Sequence, residues 1–214
     1  GRLSLSQAGA FPRGLGAVYI RFFLRMFPAV DDYKARVRPF LELVVAACEP
    51  LPLDCAARLL RWSAYDTREI PGAFGALLST TGGVRFFHHT VAEWLQSAES
   101  AGVYVVLPQE GQRALAEQGW AEYQRGVDAL SDYMQRWLPA HLAAAQRSED
   151  LLRCITDARF IAAAYRGRQH LELARYWGAA DTAAFQARCD QSLQELVTAP
   201  GQEERAAEAA RALG

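Results

Sequence analysis

The sequence predicts a mainly α-helical chain, with one small β-hairpin in its first half and an α-helical bundle or short α-solenoid in its second. Three observations predict it. Apolar residues recur every three or four positions through most of the 214 residues. One stretch, VRFFHH at 84–89, has strand composition and follows a TTGG turn signal. From Pro108 onward the segments read as helices parted by glycine or serine.

The elements follow in order. Residues 1–10 are small and polar and read as a lead-in. FPRGLGAVYIRFFLRMF places Leu15, Tyr19, Phe22, Phe23, Met26 and Phe27 on one helical stripe, with Pro12 suited to its start and Pro28 to its end. DDYKARVRPFLELVVAAC is a second helix: Asp31 and Asp32 favour its N-terminal end, and Pro39 falls inside it and predicts a break or kink. EPLPLDCAARLLRW is a turn and a short helix, with Asp54 near its start and Leu59, Leu60 and Trp62 facing inward. TREIPGAFGALLS is a third short helix, with Thr67 as its N-cap and Pro71 in or near its first turn. VRFFHH then pairs with a short strand near Leu77–Ser79, and Phe86 or Phe87 anchors it in the core. TVAEWLQS is an amphipathic helix opened by Thr90, burying Val91, Trp94 and Leu95, and VYVVL (103–107) adds an extended segment.

Helices followed by a hairpin in this order make a winged-helix module. The chain accordingly divides into a lead-in and first helix over 1–30, a winged helix over 31–107 and a helical domain over 108–214. Helices in the last are expected near 108–125, 127–146, 149–165, 168–178, 181–198 and 201–213.

Composition excludes several classes. Hydrophobic content of 51% and charged content of 22% are those of a folded chain and not a disordered one. The net charge is −1, about +3 up to Ala98 and −4 beyond it, so neither half offers a polybasic surface. Lys34 is the sole lysine beside 22 arginines, which reads as a coding bias of a bacterial source. The chain opens on Gly1, and a longer parent protein is expected. Cys48, Cys55, Cys154 and Cys189 lack zinc-knuckle spacing and are expected to be small buried hydrophobes of a reducing, cytoplasmic compartment. No apolar run reaches the length of a membrane span.

Catalytic motifs are missing as well. There is no G-x-x-x-x-G-K-[ST] loop, G-x-S-x-G elbow or H-E-x-x-H helix, and no metal site is expected. The neighbouring Asp31 and Asp32 diverge on a helix and read as end-of-helix charges, not an acid–base pair. The chain by itself is therefore expected to be no enzyme. DNA binding would place TREIPGAFGALLS in the major groove, but Arg68 is its only base and Arg85 the only base of the wing.

Taken in order, several phrases resemble one family. FPRGLGAVYIRFF resembles the L-P-x-G-L-x-x-x-Y segment that follows a NACHT nucleotide-binding domain. ACEPLPLDCAARLL resembles the A-x-x-P-L-x-x-x-x-L opening of the adjoining winged helix. GVRFFHHTVAEWL resembles the F-x-H-x-S-[FV]-x-[ED]-[FWY]-L motif, and VYVVLPQEGQRALAEQGWAEY the helical segment after it. The family is the STAND class of signal-transducing NTPases, which includes the NACHT and NB-ARC switches, and the resemblance spans about residues 11–125.

The resemblance implies that His88 contacts the β-phosphate of ADP in the intact parent and holds the switch closed. His89 falls at the variable position, Thr90 replaces the usual serine, and Gln112 stands where many relatives carry histidine, so no role is assigned to it. Imidazole suits the task, since either nitrogen can donate and a proton can be gained beside phosphate. A charge-assisted bond of this kind is worth about 1.5–3 kcal/mol. The implied cofactors are ADP or ATP with magnesium in the parent, with none held by this chain alone. The implied partners are an upstream nucleotide-binding domain and a downstream WD40 or helical-repeat sensor in the same chain, and further copies of the parent on activation. No nucleic acid or membrane partner is expected. Two other readings remain beside it: a helical protein-interaction scaffold and a winged-helix DNA-binding regulator.

Overall fold

Pro28 closes the first helix as its missing N–H requires, and α1 runs Arg13–Met26. The structure, a computed structural model, describes residues 13–177 and 182–213; the lead-in, Pro12 and Gly178 lie outside them. By internal contacts the chain forms two units, Gly1–Gln112 and Arg113–Gly214. The first is helical with one two-stranded antiparallel hairpin, and the described elements of the second are all helical.

In the first unit α1 buries Tyr19 and Phe23, while Leu15 and Met26 are exposed. The inward face is centred on the two buried rings, and the expected stripe was wider than the face the core covers. α2 begins as Val30–Asp32, widens into a π-helical turn at Tyr33–Val37 and continues as Arg38–Ala46. Pro39 explains the turn. Its ring would collide with the carbonyl four residues back in a regular helix, and the added residue per turn relieves this. The Arg38 N–H accordingly bonds the Tyr33 carbonyl, five residues back. Asp31 and Asp32 lie exposed in the first turn.

Leu51 then makes an isolated antiparallel bridge to Val84, with N–H···O distances of 2.9 and 2.7 Å. α3 (Leu53–Leu59) buries Cys55 and Ala56. Leu59, Leu60 and Trp62, expected to face inward, are half-buried, and Trp62 lies against Phe40 at 5.0 Å between ring centroids. α4 (Ala64–Gly72) is capped by Ser63, not by Thr67. The Ser63 hydroxyl accepts the Asp66 N–H at 3.1 Å, and the Asp66 carboxylate accepts the Ser63 N–H at 3.2 Å. This reciprocal box satisfies two amides that the helix leaves open. Thr67 sits inside the helix and donates its hydroxyl to the Ser63 carbonyl at 2.8 Å. Pro71 lies near the C-terminal end of α4 and not in its first turn.

A 3-10 turn at Gly75–Leu77 leads into β1 (Leu78–Ser79), which pairs with β2 (Arg85–Phe86) in the register Leu78 to Phe86 and Ser79 to Arg85. The strand is shorter than VRFFHH because α5 (His89–Gln96) begins at once. α5 buries Val91, Trp94 and Leu95, as the sequence predicts. α6 (Ala98–Ala101) and a 3-10 turn at Gly102–Tyr104 follow. VYVVL thus forms no strand: Tyr104 turns inward, and the Val106 N–H bonds the Leu95 carbonyl at 2.9 Å.

The core of this unit is aromatic. Phe23 has the rings of Phe22, Phe27, Tyr33, Phe74, Trp94 and Tyr104 within 6.1 Å of its own centroid. The buried Tyr33 hydroxyl donates to the Tyr104 carbonyl at 2.6 Å. Cys55 is buried, but Cys48 is exposed, against expectation: it follows the last turn of α2, where the chain leaves the core.

α7 (Pro108–Gln124) carries the chain into the second unit. Then come a 3-10 turn at Val127–Ala129, α8 (Asp132–Ala144), α9 (Ser148–Thr156), α10 (Ala158–Arg166), α11 (His170–Trp177), α12 (Thr182–Thr198) and α13 (Glu203–Leu213). The helix expected over 149–165 is two helices. Asp157 leaves helical geometry and its carboxylate accepts the Arg159 N–H at 2.8 Å, capping α10. The helix expected from 127 starts later, where Ser131 caps α8.

Here the core is built from small residues. α10 packs along α13, and Ala158, Ala162, Ala163, Ala164, Ala206 and Ala209 are buried beside Leu138, Leu142, Phe160 and Ile161. Buried Glu122 accepts both the N–H and the hydroxyl of Ser131, at 2.9 and 3.0 Å, which fixes the turn between α7 and α8. His141 is fully buried, with Nε2 3.0 Å from the Tyr133 hydroxyl, and burial lowers its pKa to about 4.

Candidate functional site

His88 is the hinge between the hairpin and α5. Its backbone is extended (φ −125°, ψ 134°), and its carbonyl accepts the Val91 N–H at 3.1 Å, which makes it the N-cap residue of α5. Its side chain plays no capping part. The imidazole is exposed and meets the exposed Phe87 ring edge to face at 4.9 Å. It therefore stands at the positive end of an eight-residue helix with its ring open to solvent, a setting that favours an anion. His89 is exposed too, 4.0 Å from the Glu93 carboxylate one turn on.

The hairpin holds His88 from below, though not by the expected anchor. Phe86 is half-buried and Phe87 is 67% exposed; Val84 and Leu78 are the buried residues. The Phe87 N–H still bonds the Leu77 carbonyl at 3.0 Å, and strand alternation turns the Phe87 ring to the opposite face from Phe86. Gly83 fixes the approach. Its φ is +112°, and a Cβ there would lie 2.6 Å from the Pro50 carbonyl oxygen, so only glycine lets the PLP segment come this close.

Residues from the separate sequence phrases meet here. The Tyr19 hydroxyl and the Thr90 Oγ1 are 2.9 Å apart, joining α1 to the first turn of α5. Trp94 packs on Tyr19 at 5.7 Å and on Phe23 at 5.1 Å. Pro50 and Leu51 lie against Gly83 and Val84. Thr90 uses its hydroxyl to tie down the start of α5.

A second constellation escaped sequence reading. Glu42, buried on α2, accepts the Leu107 N–H at 3.2 Å and lies 3.3 Å from the Arg38 guanidinium. Burial raises its pKa, partly offset by the Leu107 N–H and Arg38. One turn along α2, Gln112 donates to the Ala46 carbonyl at 2.9 Å. Between them, Gly111 crosses so closely that a Cβ would overlap the Glu42 carbonyl oxygen. The position given no role thus closes the C-terminal end of α2. One acid amid the apolar FLELVV run was the visible signal for Glu42.

Among the described residues, no group of three or more histidine, cysteine or acidic side chains is placed to hold a metal ion, and no helix is long and apolar enough to cross a membrane. Compared with protein families, curated proteins and solved structures, the chain matches none.

Proposed function

We propose that this chain is the winged-helix and helical segment of a STAND-class switch, in which His88 touches the phosphate of ADP bound by an upstream nucleotide domain. One observation carries the reading: the Tyr19–Thr90 hydrogen bond joins the tyrosine of one resemblance phrase to the hydroxyl position of another, 71 residues apart in sequence. The same contact sets the start of α5 and so the place of His88. The bridge between Leu51 and Val84 and the two-stranded hairpin that follows α4 support the winged-helix part of this reading. An exposed imidazole at a helix N-terminus suits a phosphate presented by another domain. A bond of about 1.5–3 kcal/mol made in only one of two states shifts their ratio by about tenfold or more.

In this reading the chain catalyses nothing. ADP holds the off state through His88, exchange for ATP with magnesium frees the winged helix, and copies of the parent assemble. Residues from Pro108 onward link the switch to a repeat sensor. The test is the parent protein itself. The coding sequence upstream should specify a phosphate-binding loop, and the purified parent should carry ADP. A parent without that loop, or with the loop and no affinity for ADP, overturns the proposal and favours a helical interaction scaffold.

A further inference from the structure

We propose that the cavity between α7, α9 and α12 of the second unit binds a small organic oxyanion, a carboxylate or a phosphate ester, between Arg153 and Arg188. The cavity has a volume of about 760 Å³, within the range of small-molecule sites. The proposal stands apart from the switch reading, since every lining residue lies in Arg113–Gly214 and far in sequence from His88.

The charge distribution carries the argument. Two acids and two arginines line the cavity, so its formal charge is zero; the acids keep their charge but their oxygens already accept hydrogen bonds, while the guanidinium donors stay open to a ligand. Asp157 accepts the Arg159 N–H on one oxygen and the Tyr123 hydroxyl, at 2.7 Å, on the other. Glu195 accepts the Gln191 amide at 3.1 Å. Neither the Arg153 nor the Arg188 guanidinium has a hydrogen-bond or ion-pair partner among the described residues. Each offers a planar fork of donors that matches a carboxylate or phosphate.

The rest of the lining mixes aromatic and polar side chains. Trp120 stacks on Tyr123 at 5.0 Å, and the Arg147 guanidinium lies 5.6 Å from the Trp120 ring centroid. The Ser192 hydroxyl accepts the Ala158 N–H at 2.9 Å and its own proton remains to donate inward. Arg188, Gln191, Ser192 and Glu195 share one face of α12 by their spacing, which presents the guanidinium, amide and hydroxyl together.

Calorimetric titration of the full chain with pyrophosphate and with citrate tests this. Saturable one-to-one binding of either probe is expected, weakened at least about tenfold in the double variant Arg153→Gln, Arg188→Gln and unchanged in Arg159→Gln, which lies outside the cavity. Binding of pyrophosphate alone assigns a phosphate ligand, and binding of citrate alone a carboxylate. No saturable binding of either, or equal affinity in the double variant, overturns the proposal. If the double variant fails to fold, Arg153→Lys and Arg188→Lys serve in its place. They keep the charge and lose the fork, so affinity should fall, and unchanged affinity again overturns the proposal.

Discussion

The two units solve the same packing problem with opposite materials. The first wraps its elements around one phenylalanine, with six aromatic rings close to Phe23. The second lays its helices together through alanine, most closely where α10 meets α13. Large rings occupy much volume per residue and prefer tilted contacts, so a few of them set the orientation of many short segments. Alanine costs no side-chain entropy and lets helix axes approach, so fit rather than bulk decides. One core is broken by removing atoms and the other by adding them.

Phe23→Ala should be the most damaging change, costing about 3–5 kcal/mol because it empties the centre of the ring cluster. Hydrogen exchange should show the loss at amides of 13–112, and equal loss of protection in both units would refute two separate cores. Gly111→Ala should come next, at about 2–3 kcal/mol, because its Cβ meets backbone and not a yielding side-chain end. Ala209→Leu should cost about 1–3 kcal/mol and act on amides of 113–213 instead. If Ala209→Leu proves neutral, the small-residue packing of α10 on α13 is looser than described.

Acid sharpens the contrast. His141 titrates at about 4 when folded against 6.5 when exposed. A base with a lowered folded pKa binds its proton better when unfolded. Its support is therefore present above about 6.5 and is lost as pH falls toward about 4. Glu42 runs the other way. Its folded pKa is raised, so its support is greatest below the ordinary carboxylate value and is lost as pH rises through the folded one. The second unit should weaken between about pH 6.5 and 4, by up to about 3 kcal/mol, and His141→Leu should flatten that slope. A slope unchanged in the variant would assign the acid sensitivity elsewhere. The smallest effect belongs to Ser63→Ala, which loses the capping box of α4 for about 1 kcal/mol.

Much of this was legible in the sequence where one local force acts alone. Pro28 ended a helix, Pro39 distorted one, and Val91, Trp94 and Leu95 went inward as their spacing demanded. Where two local choices compete, the better set of capping hydrogen bonds decides. Ser63 and Thr67 could each cap α4, and the box with Asp66 favours the first. Asp157 sits in a continuous apolar pattern and still divides α9 from α10, because its carboxylate offers the next helix a cap. Gly111 gave no local sign of its role, which arises only where α7 crosses α2. Of the candidate site, the histidine pair and the hairpin were visible in sequence. The Tyr19–Thr90 bond and the exposed Phe87 depend on contacts between distant segments.

The adjacency of two histidines also supplies the most direct test. His88 and His89 are both exposed, but only His88 is the residue at which hairpin and helix meet. On the proposed switch reading, the measurement is the dissociation rate of ADP from the proposed parent protein, compared among wild type, His88→Ala and His89→Ala. The account predicts that His88→Ala releases ADP about tenfold faster or more, while His89→Ala stays near wild type. Equal rates in all three, or an effect confined to His89→Ala, would contradict the assignment of His88 as the phosphate contact.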